Sequence, residues 1–123
     1  MHKVLLSLAS NYDQEKNLSE ARRRLEQILG HITYTRECWT EPIGSTKRPD
    51  KYLNQLASGF TLQSVEQLCR QLKQTELLMG RTTENRKKGI VCIDLDLLLY
   101  DDDRYHLADW ERSYIKQLMN SEQ

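Results

Sequence analysis

The chain has 123 residues, and its 18 Lys plus Arg balance 18 Asp plus Glu, so charge gives no reason to expect a nucleic-acid or membrane partner and the length suits one domain, 1–123, with a proper core. Three cysteines, Cys38, Cys69 and Cys92, are odd in number and follow no metal-binding spacing; they read as thiols of a reducing compartment. The opening apolar run is short and broken by Ser7 and Asn11, neither a signal peptide nor a membrane span, and a soluble cytoplasmic protein is expected.

Residues 3–10 are nearly continuously apolar (Val4, Leu5, Leu6, Leu8), as in a strand covered on both faces. Residues 11–13 offer turn and N-cap chemistry. From 14 to 29, Leu18, Ala21, Leu25, Ile28 and Leu29 fall at helical spacing, and Gly30 is placed to stop the helix. Arg22, Arg23 and Arg24 on that helix read as a solvated face with Glu20 and Glu26 close by. Residues 31–40, with Ile32, Tyr34, Thr35, Cys38 and Trp39, predict a second strand. The stretch 41–50 holds both prolines of the chain, and a loop of that length in a compact domain is often functional.

Strand character resumes over 52–60. Thr61 or Ser64 opens a second helix with Val65, Leu68, Cys69, Leu72 and Met79 on one side, and Gly80 ends it. Residues 81–89 are polar and basic and predict a mobile loop; 101–104 predict a turn. Residues 108–119 predict a closing amphipathic helix with Trp110, Tyr114, Ile115 and Leu118 on its apolar side.

The run 90–100 (IVCIDLDLLLY) reads as a central strand. Side chains alternate on a strand, so Asp94 and Asp96 point the same way and Leu95 the other. Paired carboxylates on a buried strand repel each other and resist burial. A divalent cation resolves both problems, and Mg²⁺ takes one or two carboxylates with water and substrate phosphates completing its shell. The element order is β-α-β-β-α-β plus a C-terminal helix. That is an α+β chain of ferredoxin-like arrangement, an antiparallel sheet with helices on one face.

Five segments in this order carry a family resemblance over residues 4–100. Ala9-Ser10-Asn11 resembles a Gly-Ser-Asn motif, and Trp39-Thr40-Glu41-Pro42-Ile43-Gly44 a Tyr-Arg-Thr-Pro-Pro-Leu-Gly loop. Tyr52-Leu53-Asn54 resembles Tyr-Leu-Asn, the stretch from Thr75 through Glu76 to Gly80-Arg81 resembles Glu-x-x-x-Gly-Arg, and residues 93–100 resemble Leu-Asp-Leu-Asp-Ile-Leu-Leu-Tyr. Together they resemble the 6-hydroxymethyl-7,8-dihydropterin pyrophosphokinases of folate biosynthesis.

The resemblance implies transfer of pyrophosphate from ATP to the hydroxymethyl group of a reduced pterin, with release of AMP. It implies two Mg²⁺ ions on Asp94 and Asp96, and pterin contacts from Asn54, Tyr52, Asp94 and the backbone of Thr40 and Ile43. Glu76 and Arg81 would face the nucleotide, with Arg86 and Lys88 adding positive charge, and Arg81 would join the two aspartates in catalysis. The chain departs from the pattern at Lys88 and Val91, where the family has a Trp and an Arg. Its nearest histidine after the strand, His106, lacks the family's preceding proline. Residues 110–123 match poorly where the family has an Arg and an aromatic residue that closes over the pterin. Besides an authentic enzyme, a non-catalytic relative that binds pterin or nucleotide and a ferredoxin-like interaction domain fit the residues. No aromatic residue interleaves Arg86-Lys87-Lys88, so a nucleic-acid partner is not expected, nor is a protein partner.

Overall fold

Strand β1 (His2–Ser10) runs through the middle of the sheet, antiparallel to β4 (Tyr52–Thr61) on one side and to β5 (Asp94–Tyr100) on the other. The computed structural model describes residues 1–42 and 48–121. Helix α1 (Gln14–Leu25), β2 (Gly30–Tyr34) and β3 (Cys38–Thr40) lie between β1 and β4, and α2 (Val65–Leu78) and the short α3 (Thr83–Lys87) between β4 and β5. The two-residue β6 (Asp103–Arg104), α4 (Leu107–Trp110) and α5 (Ser113–Ser121) follow. The sheet order is β2-β4-β1-β5-β6, with β3 also paired to β4. With β2 and β3 counted as one interrupted strand, this is the antiparallel α+β arrangement expected of the ferredoxin-like βαββαβ order.

Alternation along the strands sorts their side chains into two layers. Val4, Leu6 and Leu8 of β1, Leu53 and Ala57 of β4, and Leu95 and Leu97 of β5 form one core with Leu18, Ala21 and Leu25 of α1 and Leu68 and Leu72 of α2. On the other face Leu5, Leu56 and Leu98 are sealed by Ile115 and Leu118 of α5. A bulge helps: Leu5 pairs with Leu99 but Leu6 with Leu97, so Leu98 is the extra residue of β5. After it the alternation resets, and Tyr100 returns to the α1–α2 side.

Several boundaries differ from the sequence expectation. Helix α1 stops at Leu25, because Ile28 and Leu29 both donate to the Leu25 carbonyl in a tightening turn; Leu29 stays buried without being helical. Gly30 does not cap the helix but begins β2, opposite Phe60. The strand over 31–40 is broken at Thr35, whose hydroxyl takes the Leu56 amide in place of a strand carbonyl. The basic stretch 81–89 contains a helix, α3, capped by the Thr82 hydroxyl accepting from the Asn85 amide. The closing helix is two helices, α4 and α5. Arg23 and Arg24 pair with Glu20 as a solvated face would, while Arg22 turns to Glu37 and to the buried Gln55.

The largest correction concerns the run 90–100. The strand starts at Asp94, and it is not central: β6 covers only Leu99 and Tyr100, leaving its outer edge from Asp94 to Leu98 without a neighbouring strand among the described residues. Residues 90–93 are held by other means. Asn11 accepts from the Val91 amide at 2.7 Å and donates through Nδ2 to the Gly89 carbonyl at 2.9 Å, while its own amide donates to the Val91 carbonyl. Both Ser10 and Asn11 are buried, so the Ser-Asn pair after β1 is a bracket for the approach to β5. Among the described residues no helix is long and apolar enough to cross a membrane.

Candidate active site

Helix α5 covers only part of its face of the sheet. Beyond Leu5, Leu56 and Leu98, the same face continues with Ser7 and Ala9 on β1, Tyr52 and Asn54 on β4, and Asp94 and Asp96 on β5. The register aligns them in rows: Ala9 lies opposite both Asn54 and Asp94, and Ser7 opposite both Leu56 and Asp96. Neighbouring strands stand about 4.8 Å apart, so Asn54 and Asp94 flank Ala9 at roughly 10 Å from each other. The small side chains of Ser7 and Ala9 leave the floor between them open.

A cavity of about 310 Å³ stands on this floor, walled by Thr40, Tyr52 and Asn54 on one side and by Asp109, Arg112 and Tyr114 of the α4–α5 segment on the other. A second cleft of about 520 Å³ opens along the free edge of β5 and is lined by Lys73, Glu76, Arg81, Arg86 and His106. Among the described residues only Asp94 and Asp96 line both. The carboxylate pair therefore forms a partition between a smaller cavity with two tyrosine rings and a larger cleft rich in cationic side chains.

Burial, reinforced by the neighbouring charge of Asp94, pushes the Asp96 carboxyl above its ordinary range, and Asp109 adds to the effect. His106, whose Nε2 lies 3.7 Å from Asp96 Oδ1, and Arg81 pull the other way. Glu76 is raised as well, foremost by burial, with the Leu95 amide opposing. Burial, followed by the charge of Asp94, raises the Tyr52 phenol. Among the described residues no group of three or more His, Cys, Asp or Glu side chains is placed to hold a metal ion. A cation here would rest on two carboxylates and fill its remaining positions with water and ligand oxygens, a donor set that suits Mg²⁺.

Of the residues singled out from sequence, Thr40, Tyr52, Asn54, Asp94 and Asp96 meet at the smaller cavity, and Glu76, Arg81, Arg86 and both aspartates at the larger. Ile43 lies outside the described residues. Lys88 is not brought to either cleft; its ammonium pairs with Glu84 at 3.0 Å on the surface of α3. Asn54 is 3% exposed, and its Nδ2 donates to the Cys38 carbonyl, the Thr40 hydroxyl and, at 3.3 Å, the Tyr52 carbonyl, so it fixes β3 against β4 as well as lining the cavity. Val91 lines a small cavity beside Arg81 and Arg86.

Sequence reasoning missed Arg112 and Tyr114, because residues 110–123 match the family pattern poorly, and Asp109 just before them. The signal was the spacing Arg112-x-Tyr114, an arginine and an aromatic side chain two apart, which the short α4 and the start of α5 carry back to the cavity. His106 likewise reaches Asp96 without a preceding proline.

The fold and the site define an α+β domain of ferredoxin-like topology in which two clefts meet at a carboxylate pair. The chain belongs to the 7,8-dihydro-6-hydroxymethylpterin-pyrophosphokinase (HPPK) family, whose model matches residues 5–120. It is also similar to a folate synthesis bifunctional protein of Arabidopsis thaliana, 29% identical over 122 residues that cover 91% of this chain and 25% of that protein. The chain thus spans about a quarter of the length of this curated relative.

Proposed function

We propose that this chain transfers pyrophosphate from ATP to 6-hydroxymethyl-7,8-dihydropterin and releases AMP. The observation that carries the reading is the partition: two clefts of different size and charge share, among the described residues, Asp94 and Asp96 alone. A pterin is flat, small and rich in donors and acceptors on one edge, which suits the cavity of Asn54, Thr40, Tyr52 and Tyr114. A nucleoside triphosphate is larger and anionic, which suits the cleft of Lys73, Arg81 and Arg86.

In the reaction the hydroxymethyl oxygen bonds to the β-phosphorus, the bond from that phosphorus to the oxygen bridging to the α-phosphate breaks, and AMP leaves with the electron pair. The hydroxyl proton passes to solvent. Tyr52 and Tyr114 hold the ring, Asn54 its polar edge, and Arg112 stands with them at the closing wall. Arg81 and Arg86 hold the triphosphate and stabilise the charge that moves on to it. Asp94 and Asp96 would hold two Mg²⁺ ions, which when bound neutralise phosphate charge between the two substrates. Positioning is the larger part of such chemistry, and the fixed row Asn54–Ala9–Asp94 sets the distance between ring edge and reacting oxygen.

The test is AMP formation from ATP, Mg²⁺ and the hydroxymethylpterin, with Asp94→Ala beside the wild type. The wild type is expected to give AMP and the variant none, with its fold retained. Pterin binding without AMP in the wild type would refute the enzymatic reading and leave a binding protein.

A further inference from the structure

Glu76 sits where a carboxylate is least comfortable. It is 5% exposed, and it occupies the last turn of α2, where the helix dipole already presents negative charge. Both of its oxygens are engaged. Oε2 accepts from the Leu95 amide at 2.8 Å, beside both aspartates on β5, and Oε1 accepts from Arg81 Nη1 at 2.8 Å. The Arg81 amide also donates to the Glu76 carbonyl, so the two residues are joined through backbone and side chain alike. The same guanidinium nitrogen stands at 3.5 Å from Asp94 Oδ1, a much looser contact. Arg81 is thus held firmly on a buried anchor and weakly on a half-buried partner that faces both clefts.

Resting on the function proposed above, we infer that Glu76 is a positioning residue: it fixes the Arg81 guanidinium beside Asp94, so that Arg81 passes from Asp94 to an incoming triphosphate without leaving its anchor. A guanidinium has further N–H donors in a rigid fork, so phosphate can take the place of Asp94 while the bond to Glu76 stays. Handing Arg81 to phosphate also frees Asp94 of its cation as the nucleotide arrives. A free arginine in this position would have to be ordered at each turnover, whereas one already held needs no reorganisation.

The experiment is a double-mutant cycle of Glu76→Gln and Arg81→Ala, read as kcat and KM for ATP and as pterin affinity. Glutamine keeps an oxygen for the Leu95 amide and loses the charge that holds Arg81. Glu76→Gln is expected to lower kcat about 10- to 100-fold, in the range of other groups that orient a functional side chain, and to leave pterin affinity unchanged. The double variant is expected to be no slower than Arg81→Ala alone. Additive losses, or an unchanged kcat in Glu76→Gln, would overturn the inference.

A wild type that forms no AMP would instead refute the proposed function, and the anchor is then judged by nitrogen-15 NMR of the Arg81 guanidinium. Restricted rotation of that group in the wild type supports the inference, and free rotation overturns it. This second measurement also decides the matter if Glu76→Gln does not fold.

Discussion

On one face of the sheet, Val4, Leu6 and Leu8 of β1 lie under α1 and α2, and β4 and β5 add buried apolar side chains to the same core, with Ile32 and Tyr34 of β2 packed against it. On the opposite face the same strands carry Leu5, Leu56 and Leu98 under α5 and then turn polar, with Asn54, Asp94 and Asp96 around a floor of Ser7 and Ala9. The difference is one of cover. Two long helices seal the first face, and the single α5 seals half of the second. The uncovered half is where buried-strand geometry meets open space, so carboxylates there can be held rigidly and still meet a ligand. Stability and chemistry are thereby separated by the two-residue repeat of a strand.

Substitutions that respect this separation should act on one property only. Leu8→Ala, on the sealed face and fully buried, is expected to lower stability by about 2–5 kcal/mol in urea unfolding while leaving KM for either substrate unchanged. A large change in KM without loss of stability would break the comparison. Asn54→Ala, at the edge of the open half, should weaken pterin binding by about 1–3 kcal/mol, because a buried ligand group loses its partner. It should also lower stability, since its Nδ2 holds β3 through the Cys38 carbonyl and the Thr40 hydroxyl. Titration of the pterin with unaltered affinity would reduce Asn54 to an anchor for β3.

The smallest effect is a pH dependence. Burial and the charge of Asp94 raise Asp96, so the folded protein retains a proton that the unfolded chain has already lost. Stability contributed by that proton falls as pH rises from the ordinary carboxylate range through the raised value. Glu76, raised chiefly by burial, works in the same direction. Asp96→Asn removes one of the two contributions. Its thermal midpoint should fall less steeply than the wild type's between about pH 4 and about pH 7, and be no lower at neutral pH. A steeper profile, or a variant less stable at neutral pH, would show that Asp96 is stabilising in the free protein.

Periodicity made the layered fold legible in the sequence. Leu18, Ala21 and Leu25 announce α1, Leu68 and Leu72 announce α2, and the alternation around Leu95 puts Asp94 and Asp96 on one face. What stayed hidden depends on partners far apart in the chain. Residues 90–93 look like strand because they are apolar, but Asn11, about eighty positions earlier, takes the Val91 amide and carbonyl that a ladder would use. Residues 94–98 look central because they are apolar on both sides, yet their outer edge packs against α2 and a cleft rather than a strand. The closing segment was legible as a core element through Ile115 and Leu118. Its second role, carrying Asp109, Arg112 and Tyr114 to the cavity, follows from the break between α4 and α5, which apolar spacing alone does not show. The Lys88–Glu84 pair was within reach of a helical reading of 81–89, since the two stand four residues apart.

The partition at Asp94 and Asp96 is tested most directly by mapping each ligand on the amide resonances of the protein. Titration with the hydroxymethylpterin is predicted to shift Thr40, Tyr52, Asn54 and Tyr114, and titration with Mg²⁺ and a non-hydrolysable ATP analogue to shift Lys73, Glu76, Arg81 and His106. Only Asp94 to Asp96 should respond to both. Shifts from the two ligands that overlap throughout, or that gather on α1 and the outer face of α2, would contradict the account.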